Sequence, residues 1–179
     1  MKNAFPFLFI FFYAVQFCFT QSEETVLKAP DNWRYEKLDF PLSFAPELEL
    51  TGFEEVYFAP GWNNSEAEDF WTYAFAWVLE TPIEFHQSTL ENYLTTYYDG
   101  LMKVVGADGE VATKVSLTLR NNGYKGEVVT FDAFFTKKRL LLYLTIEKSP
   151  NPNIWIFRLS PNPWDHKNWT ILDQVHIPK

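Results

Sequence analysis

Apolar residues change their spacing along this chain, and each change marks an element. From Thr89 to Val105 they recur at Leu90, Leu94, Tyr97, Leu101 and Val105, in steps of four, three, four and four. Such spacing draws one apolar stripe down a helix. Ser88 and Glu91 stand at capping-box spacing at its start, and Gly106 supplies a stop. Gly100 interrupts the helix at a cost of about 1 kcal/mol relative to alanine, which leaves room for a kink or an early end.

After the turn Gly106-Ala107-Asp108-Gly109 the period becomes two. Val111, Thr113, Val115, Leu117 and Leu119 alternate with Ala112, Lys114, Ser116, Thr118 and Arg120. This alternation predicts a strand over 111–120. Asn121-Asn122-Gly123 is a hairpin turn, and 124–133 is the returning strand. Two more strands are expected at 140–147 and 154–159, separated by Ser149-Pro150-Asn151-Pro152-Asn153. Upstream, 53–58 reads as a strand. The apolar stretch 70–79 sets Trp71, Tyr73, Phe75, Trp77 and Leu79 against the mostly smaller Phe70, Thr72, Ala74, Ala76 and Val78. A large face and a small face suit a central strand with a helix over the small side. Ser65 and Glu68 would allow a helix there instead, but the aromatic content favours the strand. Residues 33–38 open the domain. Pro41 and Pro46 limit 40–46 to an edge strand or an extended wall.

The order predicts an α+β domain in two layers: an antiparallel meander with one main helix on one face, and at most a short C-terminal helix. Over residues 38–160 this order resembles the PsbP/Mog1-like fold, which has an early hairpin, a helix and then a long meander. The resemblance rests on element order. It departs at the end, where that fold closes on a clear helix and this chain offers only 169–177. Families of that fold are largely non-catalytic binding or assembly factors, so the resemblance implies a binding or assembly role rather than an enzyme.

The first twenty residues read differently from the rest. Lys2 is their only charge, 5–17 is apolar except Gln16, and Cys18-Phe19-Thr20 forms a small-x-small site before Gln21. These are the parts of a secretory signal peptide, so export to the periplasm or the extracellular space is expected. The apolar run is shorter than the about 20 residues of a spanning helix, and Val15 and Phe17 do not suit a lipid anchor on Cys18. The Phe-rich core and the cut before Gln resemble signals of Bacteroidetes-type bacteria. The expected organisation is a signal over 1–20, a polar linker over 21–32 and one domain over 33–179.

Composition then narrows the chemistry. The only cysteine is Cys18, inside the expected signal, so packing alone must hold the exported domain. The chain is rich in aromatics, with 7 Trp, 9 Tyr and 18 Phe. Its formal charge of −8 argues against nucleic-acid partners, which need clustered cations. The densest basic run, Lys137-Lys138-Arg139, falls at an expected hairpin turn and reads as solvated. No His-Glu-x-x-His, Gly-x-Ser-x-Gly, Walker or dinucleotide motif occurs. His86, His166 and His176 lack metal-pair spacing, so neither a metal nor a cofactor is expected. The acids Glu54-Glu55, Glu66, Glu68, Asp69, Asp108 and Glu110 read as helix starts or solvated faces.

Two tryptophans stand out because they lie in polar turns. Trp62 precedes Asn63 and Asn64, and Trp164 lies two residues before His166. Flat rings beside such side chains can stack on sugars or peptides, so these five residues form the candidate ligand site. The alternative is that each ring folds back over an end of the sheet. The leading expectation is a secreted, cofactor-free binding or assembly protein of the bacterial envelope, with a glycan, peptide or envelope protein as partner. No nucleic acid and no membrane span are expected for the exported part. The reading leans away from catalysis. A carboxylate-based hydrolase of glycan or peptide would require paired, perturbed acids in one pocket. A carrier of a hydrophobic small molecule would require an apolar cavity.

Overall fold

The structure is a computed structural model that describes residues 25–106 and 111–178. The expected signal at 1–20, the first linker residues, and the acids Asp108 and Glu110 lie outside the described residues. Strands β1 (Arg34–Asp39), β2 (Gly52–Phe58), β3 (Tyr73–Leu79), β4 (Lys114–Arg120), β5 (Gly123–Asp132), β6 (Lys138–Lys148) and β7 (Ile154–Ser160) form one sheet. Its spatial order is β1-β2-β3-β7-β6-β5-β4, antiparallel throughout. Helix α1 (Gln87–Val104) joins β3 to β4, and the short α2 (Lys167–Leu172) follows β7. The fold is therefore the α+β arrangement that the period changes predict. Among the described residues no helix is long and apolar enough to cross a membrane.

Each face of the sheet has its own cover. The large side chains of β3, Tyr73, Phe75, Trp77 and Leu79, face α1 and meet Leu90, Leu94, Tyr98 and Met102. Full burial of a leucine such as Leu90 or Leu94 contributes roughly 1.5–3 kcal/mol. Ala74 and Ala76 point the other way, and their small size admits α2 and the N-terminal segment through Trp169, Leu172 and Leu27. The helix over the small face is thus α2, while the main helix covers the large one.

Three expectations need correction. The Ser88–Glu91 capping box does not form. The N-cap is His86, with no side-chain cap bond, and Glu91 instead accepts from the backbone N of Leu117 at 2.8 Å. The Glu91 carboxylate fastens α1 to β4 rather than closing its own helix start. The described part of the 21–32 linker is docked, because Leu27 is fully buried and Lys28 bridges to His176. Finally, 70–72 is not strand: Trp71 has a φ of +50°, which breaks the extended backbone just before β3.

The segment 40–50 is a turn-rich wall that sends Leu42, Ala45, Leu48 and Leu50 into the core. Helix α1 crosses this wall without a break at Gly100. A Cβ on Gly100 would stand 2.1 Å from the Phe44 carbonyl oxygen. Gly100→Ala, which ordinarily favours a helix by about 1 kcal/mol, should here destabilise by roughly 1–3 kcal/mol through overpacking. A thermal melt checks the sign: the midpoint should fall, and a rise would mean the wall yields without cost.

Candidate functional site

The site begins with an acid where none is expected. On β2 the alternation sets Glu54 with Val56 and Phe58 on the α1 face, and Glu55 on the other. Because both faces are covered, both acids are buried, at 0% and 1% exposure. The reading of Glu54 and Glu55 as solvated is therefore overturned. The role of Glu55 is structural. Its carboxylate accepts from the backbone N of Val26 and of Leu27 at about 2.9–3.0 Å and ties the N-terminal segment to the sheet.

Glu54 lies opposite Trp77 on β3 and Leu38 on β1. Its Oε2 accepts from Trp77 Nε1 at 2.8 Å, and its Oε1 accepts from Tyr97 Oη on α1 at 3.0 Å. Burial pushes the Glu54 carboxyl up to about 7, against the lowering effect of these two bonds, and Glu36 adds a smaller push. Nearby, the Tyr73 and Tyr98 hydroxyls bond to each other in the same buried layer. Burial raises the pKa of both.

Above this layer the packing between α1 and the β1–β3 end of the sheet is incomplete. A cavity of about 390 Å³ remains, walled chiefly by Phe44, Trp62, Trp71, Tyr73, Leu101 and Phe134, with Glu54 behind it and Glu36 on the β1 side. Its size lies within the roughly 300–1,000 Å³ of small-molecule pockets. Helix α1 leaves this space because its buried line winds from Leu90 and Leu94 onto Tyr98 and Met102, so Leu101 is only half-buried. Val104, 67% exposed, and Phe134, 39% exposed, mark the mouth.

Two turns hold the outer wall. The loop between β2 and β3 closes through Ala59 N to the Thr72 carbonyl and Trp71 N to the Trp62 carbonyl, at 3.0 and 2.9 Å. Gly61 N donates to Asp69 Oδ2 at 2.9 Å, and a Cβ on Gly61 would collide with that carboxylate. The second turn follows β5. Buried Asp132 accepts from the backbone N of Phe134, Phe135 and Thr136, and from the Thr136 hydroxyl. Phe135 then meets Trp62 edge-on at 5.4 Å. Arg34 pairs with Glu36 and lies about 6 Å from the ring centres of Phe58 and Trp62.

Of the five residues singled out in the sequence, Trp62 alone lines this cavity. Its ring is half-buried, 4.4 Å from Phe58. Asn63 and Asn64 follow it but are exposed, and Asn64 Oδ1 accepts from Glu66 N within the loop. Trp164 lies on the opposite face of the sheet, against Tyr143 at 4.7 Å and beneath Lys125 Nζ at 4.0 Å. His166 caps α2, its Nδ1 accepting from Asn168 N at 3.3 Å. The two loops do meet, at Glu68: its carbonyl accepts from Asn162 and Asn168, and its carboxylate pairs with Lys167 and His166. Yet the two tryptophan rings face opposite sides of the sheet. No three His, Cys, Asp or Glu side chains among the described residues are grouped to hold a metal.

The residues that sequence reasoning missed are Glu54, Trp71, Tyr97, Leu101 and Phe134. One signal was present: Glu54 shares a strand face with the apolar Val56 and Phe58. No family model, curated protein or solved structure matches this chain.

Proposed function

We propose that this protein is a non-catalytic, cofactor-free binding protein that takes a small hydrophobic molecule between α1 and the β1–β3 end of the sheet, outside the cytoplasm. The observation that carries this reading is the unfilled apolar cavity, with aromatic walls and an exposed Val104–Phe134 mouth. It opens at the surface between α1 and the sheet, and its size and apolar lining are those of small-molecule sites. The apolar lining favours a hydrophobic molecule over a glycan, a peptide or an envelope protein. The signal-like pattern read in residues 1–20 supports the location, and the likeness of element order to PsbP/Mog1-like binding or assembly factors supports a role without catalysis.

A second reading, a hydrolase using Glu54 as general acid, draws on the raised carboxyl with Glu36 diagonal to it on the neighbouring strand. Against it, Glu54 is fully buried and both of its oxygens are already engaged.

The test is a fluorescence titration with N-phenyl-1-naphthylamine, a neutral apolar probe. Saturable 1:1 binding is expected. Leu101→Trp, which adds bulk to the cavity wall, should weaken it at least tenfold while the melting temperature stays within a few degrees. Val104→Trp makes the same test from an exposed position, without touching the core. Binding that is absent, or unchanged in both variants, would overturn the proposal.

A further inference from the structure

Resting on that reading of the cavity, we propose that its ligand is an uncharged amphiphile, with an apolar chain or ring in the cavity and a hydroxyl-bearing head in an adjoining groove. The groove, of about 590 Å³, lies between α1 and the 40–50 wall. Ser43, Phe44 and Val104 line both spaces, so the groove begins where the exposed mouth of the cavity ends. Phe44 is anchored edge-on against buried Tyr97, at 5.0 Å between ring centres. Gly100 keeps the groove open, because it adds no side chain to the lining and lets the Phe44 carbonyl come close to α1.

The two spaces differ in chemistry. The cavity wall is mostly apolar and aromatic, whereas the groove adds Glu47, Thr96, Asp99 and Lys103 to Ser43. Thr96 is half-buried and the other four are exposed, so a molecule lying in the groove can reach them. Asp99 accepts from the backbone N of Thr113 at 3.3 Å. The side chains of Ser43, Glu47, Thr96 and Lys103 have no hydrogen-bond or ion-pair partner among the described residues. They offer one acceptor, one donor and two hydroxyls that can do both. An apolar pocket with a few polar groups at one end is the usual way to fix a ligand's orientation.

Charge sets the class of the head. An anionic head would gain Lys103 but meet Glu47 and Asp99, with Glu36 bordering the cavity. A cationic head would meet Lys103, while Glu36 is already paired with Arg34 and Asp99 with an amide. Hydroxyl groups both donate and accept, so they can answer Glu47 and Lys103 together. They also bring no charge that must be taken out of water.

Four octyl compounds, kept below micelle-forming concentrations, separate the possibilities: octyl β-D-glucoside, octyl methyl ether, octanoate and octyltrimethylammonium. Calorimetry should give the glucoside an affinity about fivefold or more above the ether, the gain of one or two net hydrogen bonds. Both ions should bind more weakly than the glucoside. Glu47→Ala and Lys103→Ala, at exposed positions, should each narrow the gap between glucoside and ether, and the double variant should close it. In 1H–15N spectra the backbone amides of Ser43, Glu47 and Lys103 should shift with the glucoside and not with the ether. Equal binding of glucoside and ether, with those amides stationary, would overturn the head assignment and leave the cavity reading standing. Tightest binding by either ion would overturn the uncharged class. Failure of all four beside a bound N-phenyl-1-naphthylamine would overturn the amphiphile, and failure of that probe too would remove the cavity reading.

Discussion

Trp77→Ala should leave little folded protein at 37 °C. Trp77 is fully buried, with Phe157 at 4.6 Å, Phe85 at 5.9 Å and Phe75 at 6.0 Å between ring centres. Truncating such a ring costs about 3–5 kcal/mol. The loss of its N–H also takes one of two partners from buried Glu54, adding roughly 1–3 kcal/mol. Against a typical total of about 5–15 kcal/mol, the sum removes most of the margin. Urea denaturation is the measurement, and a loss below about 2 kcal/mol would be at odds with the packing described. Trp77→Phe, which keeps most of the ring contacts, should fall between the two.

Glu54 should make the protein less stable as pH rises. Its folded value is about 7 against an ordinary 4.5. Between those values the folded chain keeps a proton that the unfolded chain has released, so stability falls across pH 4.5–7. Below that window the contribution is constant, and above it the loss is complete. The gap corresponds to about 3 kcal/mol. Glu54→Gln keeps an acceptor for Trp77, and its amide can donate to the Tyr97 hydroxyl, which is able to accept. The variant should match the parent near pH 4.5 and exceed it at about pH 8, by up to about 3 kcal/mol. Urea melts at both pH values isolate the effect, since the other titrating groups are common to both proteins. An unchanged pH slope in Glu54→Gln would refute it.

Periodicity made the framework legible. Steps of three and four from Leu90 to Leu101 found α1, and alternation found the long meander, because both follow from burying one face. Asn121-Asn122 forms the hairpin loop between β4 and β5, and Lys137-Lys138-Arg139 is exposed at its turn, as their residue types imply. What escaped depended on contacts distant in sequence. Glu54 and Glu55 read as solvated because nothing local reveals that α1 covers one face of β2 while residues 26–27 cover the other. Glu91 had capping-box spacing, yet a backbone N–H of β4 claimed its carboxylate. Trp71 read as strand, since alternation does not reveal a left-handed φ. Trp62 and Trp164 shared a local logic, polar turns around a large ring, but the sheet between them assigns each to a different face. The candidate site was therefore visible at one residue, Trp62, and its partners come from α1 and from the turn that Asp132 holds.

If the space between α1 and the β1–β3 end of the sheet receives a small apolar molecule, the methyl groups around it must sense the arrival. Methyl-resolved NMR during a titration with N-phenyl-1-naphthylamine reads this residue by residue. Saturable shifts are expected at Leu38, Val56, Leu101 and Val104, which border the cavity, with Leu172 and Val175 on the opposite face unmoved. Shifts centred on Leu172 and Val175, or no saturable shift at any of these methyl-bearing residues, would mean that the cavity is not the binding site.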